Sequence, residues 1–506
     1  MASDELFGHP KGLYVCFFTE MWERFSFYGM KALLFLYLTK YHRFADGPSY
    51  DLLGAYGGLV YAVPVVGGLL ADRYLGLRKA VVLGGVLLVL GHLGMALEGT
   101  EAQVVDGVVH RDERALQVFY LSLSLIIMGV GFLKPNISTI VGRLYAEDDP
   151  RRDSGFTIFY AGINVGGLFS SLVCGWLGET YGWRYGFGAA GVGMVAGLVM
   201  FLSLQRHLKG LAEAPDASVL QHKVAGVSFE HRLYAGAVLG VLGVWQVIQR
   251  GGAVQGAMHV VSALFIGWFG WFIVTQCTKV QREQMLALAA LIMACLVFFS
   301  LYEQTYGSWV AFTDRMMTKR LVGFDLTAGA LTFLGSFFIV AFAPLFAWLW
   351  PLLERAGVNP SKPTKSALGL MIAGLSFIPL WWAAKNVNEA QPLASVWWLV
   401  WAYVVLEVGE SFISPIGLSA VTQLSVDRVV SLMMGAWFLA TAYSEVIAAA
   451  FGKLTSVGEV DGAVPLAVAA AKYADSFQSM VWLGLGSGVV FLLLTKPISW
   501  GMHGVK

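Results

Sequence analysis

Fourteen stretches of mostly apolar residues run almost end to end through this chain, near 13–40, 51–71, 79–98, 115–142, 155–179, 183–205, 233–249, 257–277, 284–311, 326–350, 366–384, 395–420, 429–452 and 475–496. About 20 apolar residues cross a ~30 Å hydrocarbon core as a helix, whereas a membrane barrel shows short alternating segments. Hydrophobic residues are 57% and charged residues 13% of 506, against roughly 25% charged in a soluble domain. The expected fold class is therefore an all-α polytopic membrane protein. The longest polar connection, "RHLKGLAEAPDASVLQHKVAGVSFEHR", separates a first block of six spans from two spans of different surroundings and a last block of six. The expected division is 1–205, a linker with two extra helices over 206–283, and 284–506.

Lys and Arg are enriched in cytoplasmic loops, and their distribution favours both termini on the cytoplasmic side. Loop 312–325, with Arg315, Lys319 and Arg320, runs against that rule. "MASDELFGHPKG" lacks the basic region and short apolar core of a secretory signal, so the first span itself is expected to direct insertion. Cys16, Cys174, Cys277 and Cys295 have no metal-like spacing and read as buried small hydrophobes. A net charge of +1 with scattered aromatics gives no nucleic-acid footprint. No cofactor or metal is implied.

The first span carries "EMWERFSFYGMK" from Glu20 to Lys31. An Arg or Lys at the centre of a membrane helix costs about 2.5–3.5 kcal/mol even on lenient scales, so something must compensate. At 100° per residue Glu20, Arg24, Phe27 and Lys31 share one face, with Glu23 to one side. Glu20 and Arg24 have the spacing and order of a helical ion pair, which is enough to hold helices together without any transport role. Further charges weigh against that bland reading. Lys134 lies deep in "GVGFLKPNIS", directly before Pro135, which frees a carbonyl near 131. Glu303 is buried in "FFSLYEQTYGSW", Glu407 and Glu410 in "LEVGESFISPIG" ahead of Pro415, and Glu445 in "TAYSEVIAAA".

Charges at mid-depth on helices of both halves fit a water-accessible cavity lined by disturbed helices. For Glu407 and Glu445 taken singly a local hydrogen bond or helix contact is the simpler reading, and His92 reads as structural. The "NIS" triplet at 136–138 lies inside a span and is discounted as a glycosylation site. Many of the 59 glycines stand where helices must approach and slide. In "GGLLADRYLGLRK", Asp72, Arg73, Arg78 and Lys79 occupy a very short cytoplasmic turn suited to latching a helix end.

That last segment is similar to the loop between the second and third helices of the major facilitator superfamily. "EMWERFSFYG" resembles the E-x-x-E-R-F-x-Y-Y-G signature of the proton-coupled oligopeptide transporters, "FYAGINVGGL" at 159–168 their fifth-helix signature, and "GESFISPIGL" at 409–418 their tenth-helix segment. The resemblance implies a major facilitator fold of two six-helix bundles, with two extra central helices as in bacterial members. It implies proton coupling through Glu20, Glu23, Arg24, Lys134 and Glu303. It also implies peptide binding by Arg24, Tyr28, Lys31, Lys134, Asn164, Glu410 and Trp437, with Arg24 and Lys134 taking the peptide carboxylate and Glu410 its ammonium group. Asp72 and Arg73 fall on the cytoplasmic gate. Three positions depart from the pattern: Phe27 replaces a Tyr, Gly167 a Ser, and Gly335 an Asn that helps hold the peptide's amino end.

A zwitterionic peptide presents an ammonium and a carboxylate several ångströms apart, so Arg24 and Lys134 with Glu410 complement both ends while aromatic walls tolerate varied side chains. Burial in a low-dielectric cavity favours a neutral carboxyl unless a cation stays close. A substrate carboxylate competing for Arg24 or Lys134 is thus expected to release Glu23 or Glu303 to exchange protons. The sequence shows no nucleophile, metal or phosphate-loop constellation of an enzyme and no selectivity ring of a channel. The expected function is proton-coupled symport of di- and tripeptides by a monomer in a bacterial inner membrane. The rival reading is a major-facilitator carrier of another small substrate, such as nitrate or a drug.

Overall fold

The structure is a computed structural model that describes residues 5–146, 149–414, 416–457 and 464–505, the side chains at 418, 427 and 431 excepted. Fourteen long helices follow the expected spans. They are α1 (Lys11–Leu36, continued by a wider turn at Tyr37–Tyr41), α2 (Asp46–Leu75), α3 (Leu77–Met95), α4 (Glu113–Arg143), α5 (Arg152–Tyr181), α6 (Trp183–Leu208), α7 (Phe229–Ile248) and α8 (Gly251–Thr275). After these come α9 (Lys279–Met316), α10 (Ala328–Arg355), α11 (Lys362–Asn386), α12 (Trp397–Ile413, resuming at Gly417–Leu424), α13 (Val430–Leu454) and α14 (Leu466–Gly501). Twelve of them are long and apolar enough to cross a membrane. The other two are α1, which holds five ionisable side chains, and α12, which stops at Ile413. Pro415, expected to disturb that helix, lies outside the described residues.

Local chemistry sets the helix starts. Asp112 accepts hydrogen bonds from the Arg114 and Ala115 N–H groups at 3.1 Å and so caps α4. Thr278 and Gln281 form a reciprocal capping box on α9, and Ser361 caps α11 just ahead of Pro363. The helices overrun the apolar stretches at their ends, most of all α14, which begins at Leu466 where the apolar pattern suggested 475. Hydropathy marks the part of a helix in hydrocarbon, and polar residues carry the same hydrogen-bond ladder into the headgroups.

The chain forms two compact units. One contains the chain up to Arg43 together with Leu59–Arg250 and Gly329–Ser336; the other contains Phe44–Gly58, Gly251–Ala328 and the chain from Phe337 onward. In the first, α3 lies on α4 where two glycines face each other: a Cβ on Gly84 would stand 2.6 Å from the Gly129 oxygen, and one on Gly129 2.8 Å from the Gly84 oxygen. In the second, Gly374 of α11 and Gly484 of α14 meet in the same way, a Cβ on Gly374 falling 2.9 Å from the Gly484 Cα. Lipid tails are as apolar as leucine, so backbone-to-backbone dispersion at such crossings supplies much of the association.

Candidate substrate and proton site

In the first unit, Glu20, Glu23, Arg24 and Lys31 of α1 are each no more than 2% exposed. Arg24 donates from Nη2 to Glu23 Oε1 at 2.6 Å and from Nε to Glu23 Oε2, while its Nε stands 3.5 Å from Glu20 Oε1. The helical spacing pointed to Glu20 as the partner, yet the two-pronged bond goes to the adjacent Glu23. A long, planar guanidinium curls back across the 100° between neighbours and matches both carboxylate oxygens at once. Glu20 Oε2 is buried without a hydrogen-bond partner among the described residues.

Phe27 lies against both cations of the helix, 4.7 Å from Arg24 Cζ and 5.9 Å from Lys31 Nζ, and Tyr28 adds a second ring 5.7 Å from Arg24 Cζ. A desolvated cation–π contact stabilises by up to about 2 kcal/mol. The departure at Phe27 therefore gives up a hydroxyl and keeps the ring face. Lys134 on α4 sits 4.8 Å above the Tyr61 ring of α2 and within electrostatic range of Glu20, Glu23, Arg24 and Lys31. These side chains form one cluster of cations and carboxylates on α1 and α4. Tyr61 was not singled out in the sequence, where it is one more aromatic in an apolar run. The carbonyl near 131 expected from Pro135 is covered by α2, because a Cβ on Gly67 would fall directly on the Gly131 oxygen.

Asn164 on α5 donates from Nδ2 to the Tyr160 carbonyl at 3.0 Å. Two residues on, α5 passes so close to α1 that a Cβ on Gly166 would stand 3.1 Å from the Arg24 Cβ. The Gly167 departure has a local cause: a Cβ there would lie 2.7 Å from Ser336 Oγ and 3.3 Å from Tyr28 Cδ2. Gly335 immediately precedes that serine and donates its N–H to Thr332 O at 3.3 Å.

In the second unit, the α-helix of α9 ends at Tyr302, Glu303–Tyr306 tightens to a 3₁₀ turn, and the α-helix resumes at Ser308 after Gly307, whose φ of −115° and ψ of −100° are not helical. The apolar pattern showed a continuous span, whereas the break falls on Glu303. A broken helix exposes backbone groups where a site needs them. Gln304 holds the break, donating to the Ala448 carbonyl at 2.8 Å and accepting from Ser308 Oγ at 2.8 Å. On α12 Glu407 is fully buried, beside Glu410 on its own helix and the Tyr302 hydroxyl of α9. Glu410 accepts from Ser414 Oγ at 3.1 Å. Trp437 of α13 lies across Gly417, and Glu445 of the same helix is buried against Gly57 of α2.

The short turn after α2 is tied down, though by partners beyond the turn itself. Asp72 stands 3.6 Å from Arg143 of α4 while Arg73 is exposed. Arg78 forks onto Glu213 at 2.5 and 3.0 Å, and Lys79 reaches Glu230 at 2.7 Å. Glu213, Glu230 and Arg143 are the members of this network that sequence reasoning missed.

Against known proteins, residues 78–471 match the model of the POT family. The chain is 37% identical to "Uncharacterized transporter YclF" of Bacillus subtilis (strain 168), over 99% of this chain and 96% of that protein. It is 30% identical to "Dipeptide and tripeptide permease A" of Pectobacterium carotovorum subsp. carotovorum, over 98% of this chain and 93% of the relative. A crystal structure of a mutant of the peptide transporter POT in complex with alafosfalin superposes with a TM-score of 0.82 at 31% identity, covering 99% of this chain and 97% of that one. The major facilitator fold implied by the motifs is the fold of this chain, and its multi-pass helical build, its charged α1 and the match along most of its length place it as a member of the POT family.

Proposed function

We propose that this chain carries di- and tripeptides into the cell together with protons, by alternating access. The observation that carries the reading is the cluster on α1 and α4, where buried Arg24 and Lys31 and half-buried Lys134 gather with Glu20 and Glu23, cations able to exchange a protein carboxylate for a substrate one. The relatives named as a di- and tripeptide permease and as a peptide transporter support the choice of a peptide carboxylate as that substrate group. Arg24 and Lys134 receive the carboxylate, with Lys31 adding to the field and Tyr28 and Asn164 lining the site. Glu410 receives the ammonium group, and Trp437 forms part of the wall.

Coupling follows from competition. The entering carboxylate draws Arg24 away from Glu23, and a carboxylate left buried without its cation takes up a proton. Glu303, at the break in α9, carries the second exchange, and Glu20 offers a free oxygen beside Arg24. Asp72 and Arg73 belong to the cytoplasmic gate. The protein works as a monomer in a bacterial inner membrane, with both termini in the cytoplasm.

Uptake of labelled dialanine into proteoliposomes with an inward proton gradient tests the reading. Accumulation of the dipeptide that a protonophore abolishes, with none of free alanine or nitrate, is the expected result. Nitrate uptake without dipeptide uptake would overturn it. Glu303→Gln should remove gradient-driven accumulation and spare counterflow; undiminished accumulation would rule out its role in coupling.

A further inference from the structure

We infer that the second unit holds a separate binding site for a phosphate-bearing anion, at the membrane end where α10 finishes and α11 begins. A cavity of about 480 Å³ lies there, lined by Glu354, Asn359, Ser361, Lys362, Lys365 and Ser499 together with the last residues after α14. Among the described residues neither lysine has a carboxylate within 4 Å. Lys362 Nζ donates to Gln423 Oε1 at 2.5 Å, and Lys365 Nζ rests 4.0 Å above the Trp350 ring. Both partners are neutral, so neither contact neutralises an ammonium group.

Their placement makes that costly. Both stand in the first turn of α11, where the helix dipole disfavours cations. Against the two lysines the described lining holds one acid, Glu354, which accepts from Asn359 Nδ2 at 2.7 Å, so one positive charge is in excess there. Two polar atoms of lining residues, Asn359 Oδ1 and Ser499 Oγ, are buried and have no hydrogen-bond partner among the described residues. A phosphate ester answers all of these at once: its oxygens take both lysines and the Ser499 hydroxyl, and a hydroxyl on its alcohol donates to Asn359 Oδ1. Trp348 and Trp500, 62% and 67% exposed nearby on α10 and α14, are aromatics of the kind that sit at headgroup level. A phosphoglycerol headgroup and a free phosphate share this chemistry.

Native mass spectrometry of the full chain separates the sources. In mixed phosphatidylglycerol and phosphatidylcholine micelles the protein should retain phosphatidylglycerol selectively, and Lys362→Gln with Lys365→Gln should weaken retention roughly 30-fold, from the ~1 kcal/mol each basic residue adds near an anionic surface. Replacing both lysines by Arg should restore it. If added inorganic phosphate displaces the lipid or binds in its absence, the soluble source is the occupant of the same site. Equal retention by the wild type and the double Gln variant, with no phosphate bound by either, overturns the inference. Should that variant fail to fold, Lys362→Gln alone should give a loss of roughly fivefold, and no loss there overturns it equally.

Discussion

At the scale of single residues, the charged positions were legible and their neighbours were not. Four ionisable groups within twelve residues of an apolar run stand out in any sequence, and all four are buried on α1. Tyr61 under Lys134, or Ser336 against Gly167, leave no such trace, because each is an ordinary residue whose importance lies in a partner far away in the chain. The Gly167 contact makes a prediction. A serine there places Cβ 2.7 Å from Ser336 Oγ, an overpacking that costs about 1–3 kcal/mol. Gly167→Ser alone should lower the thermal midpoint and raise the KM for dialanine, since Tyr28 is the other neighbour. Gly167→Ser combined with Ser336→Gly should recover most of both. Thermal unfolding and uptake kinetics of the three variants check this, and an equal loss in both backgrounds would show that the Ser336 contact is not what keeps glycine at 167.

Among elements, the existence of every span was readable from apolar runs, but the interruptions were not. Gly307 is one glycine among 59, and nothing in "EQTYGSW" distinguishes a helix that merely tolerates it from one that breaks there. The linker was equally opaque: polar sequence gives no register, yet its backbone is pinned where Arg78 N–H donates to Ala212 O at 2.8 Å and Gly76 adopts a φ of +80° to pass Ala214. Hydrogen bonds from Arg78 hold the Glu213 carboxyl below its ordinary value of 4.5, with partial burial opposing. A carboxyl lowered on folding contributes stability above that ordinary value and loses it as pH falls through the lower, folded value. The pair is partly exposed, so solvent screening limits it to at most about 1 kcal/mol. Hydrogen exchange over 205–221 should therefore quicken as pH falls below about 4, after correction for intrinsic rates, and Glu213→Gln should exchange fast throughout. Protection unchanged by acid or by the variant would mean that the backbone bonds alone hold the linker.

For the whole molecule, the loop that runs against the charge rule has its cations paired. Loop 312–325 broke the expected sidedness with three cations, and each has an acid: Arg315 forks onto Asp46 at 2.6 and 2.7 Å, Lys319 stands 3.8 Å from Asp314, and Arg320 3.9 Å from Asp325. The Asp46 pairing also joins the start of α2 to the second unit, an exchange that no local pattern announces. The two units also differ in the charge they gather. The first unit gathers Arg24, Lys31 and Lys134 around two acids, and the second gathers Glu407 and Glu410 side by side. The proposed function asks a substrate for both a free carboxylate and a free ammonium group. Removing one member of a buried charge pair costs about 2–5 kcal/mol. Dialanine amide and N-acetyl-dialanine should each therefore inhibit labelled dialanine uptake at least roughly 30-fold less well than dialanine. Lys134→Gln should narrow the gap for the amide and leave that for the acetylated peptide intact. If the amide competes as well as dialanine, the cations of α1 and α4 do not read the carboxylate and serve the proton alone.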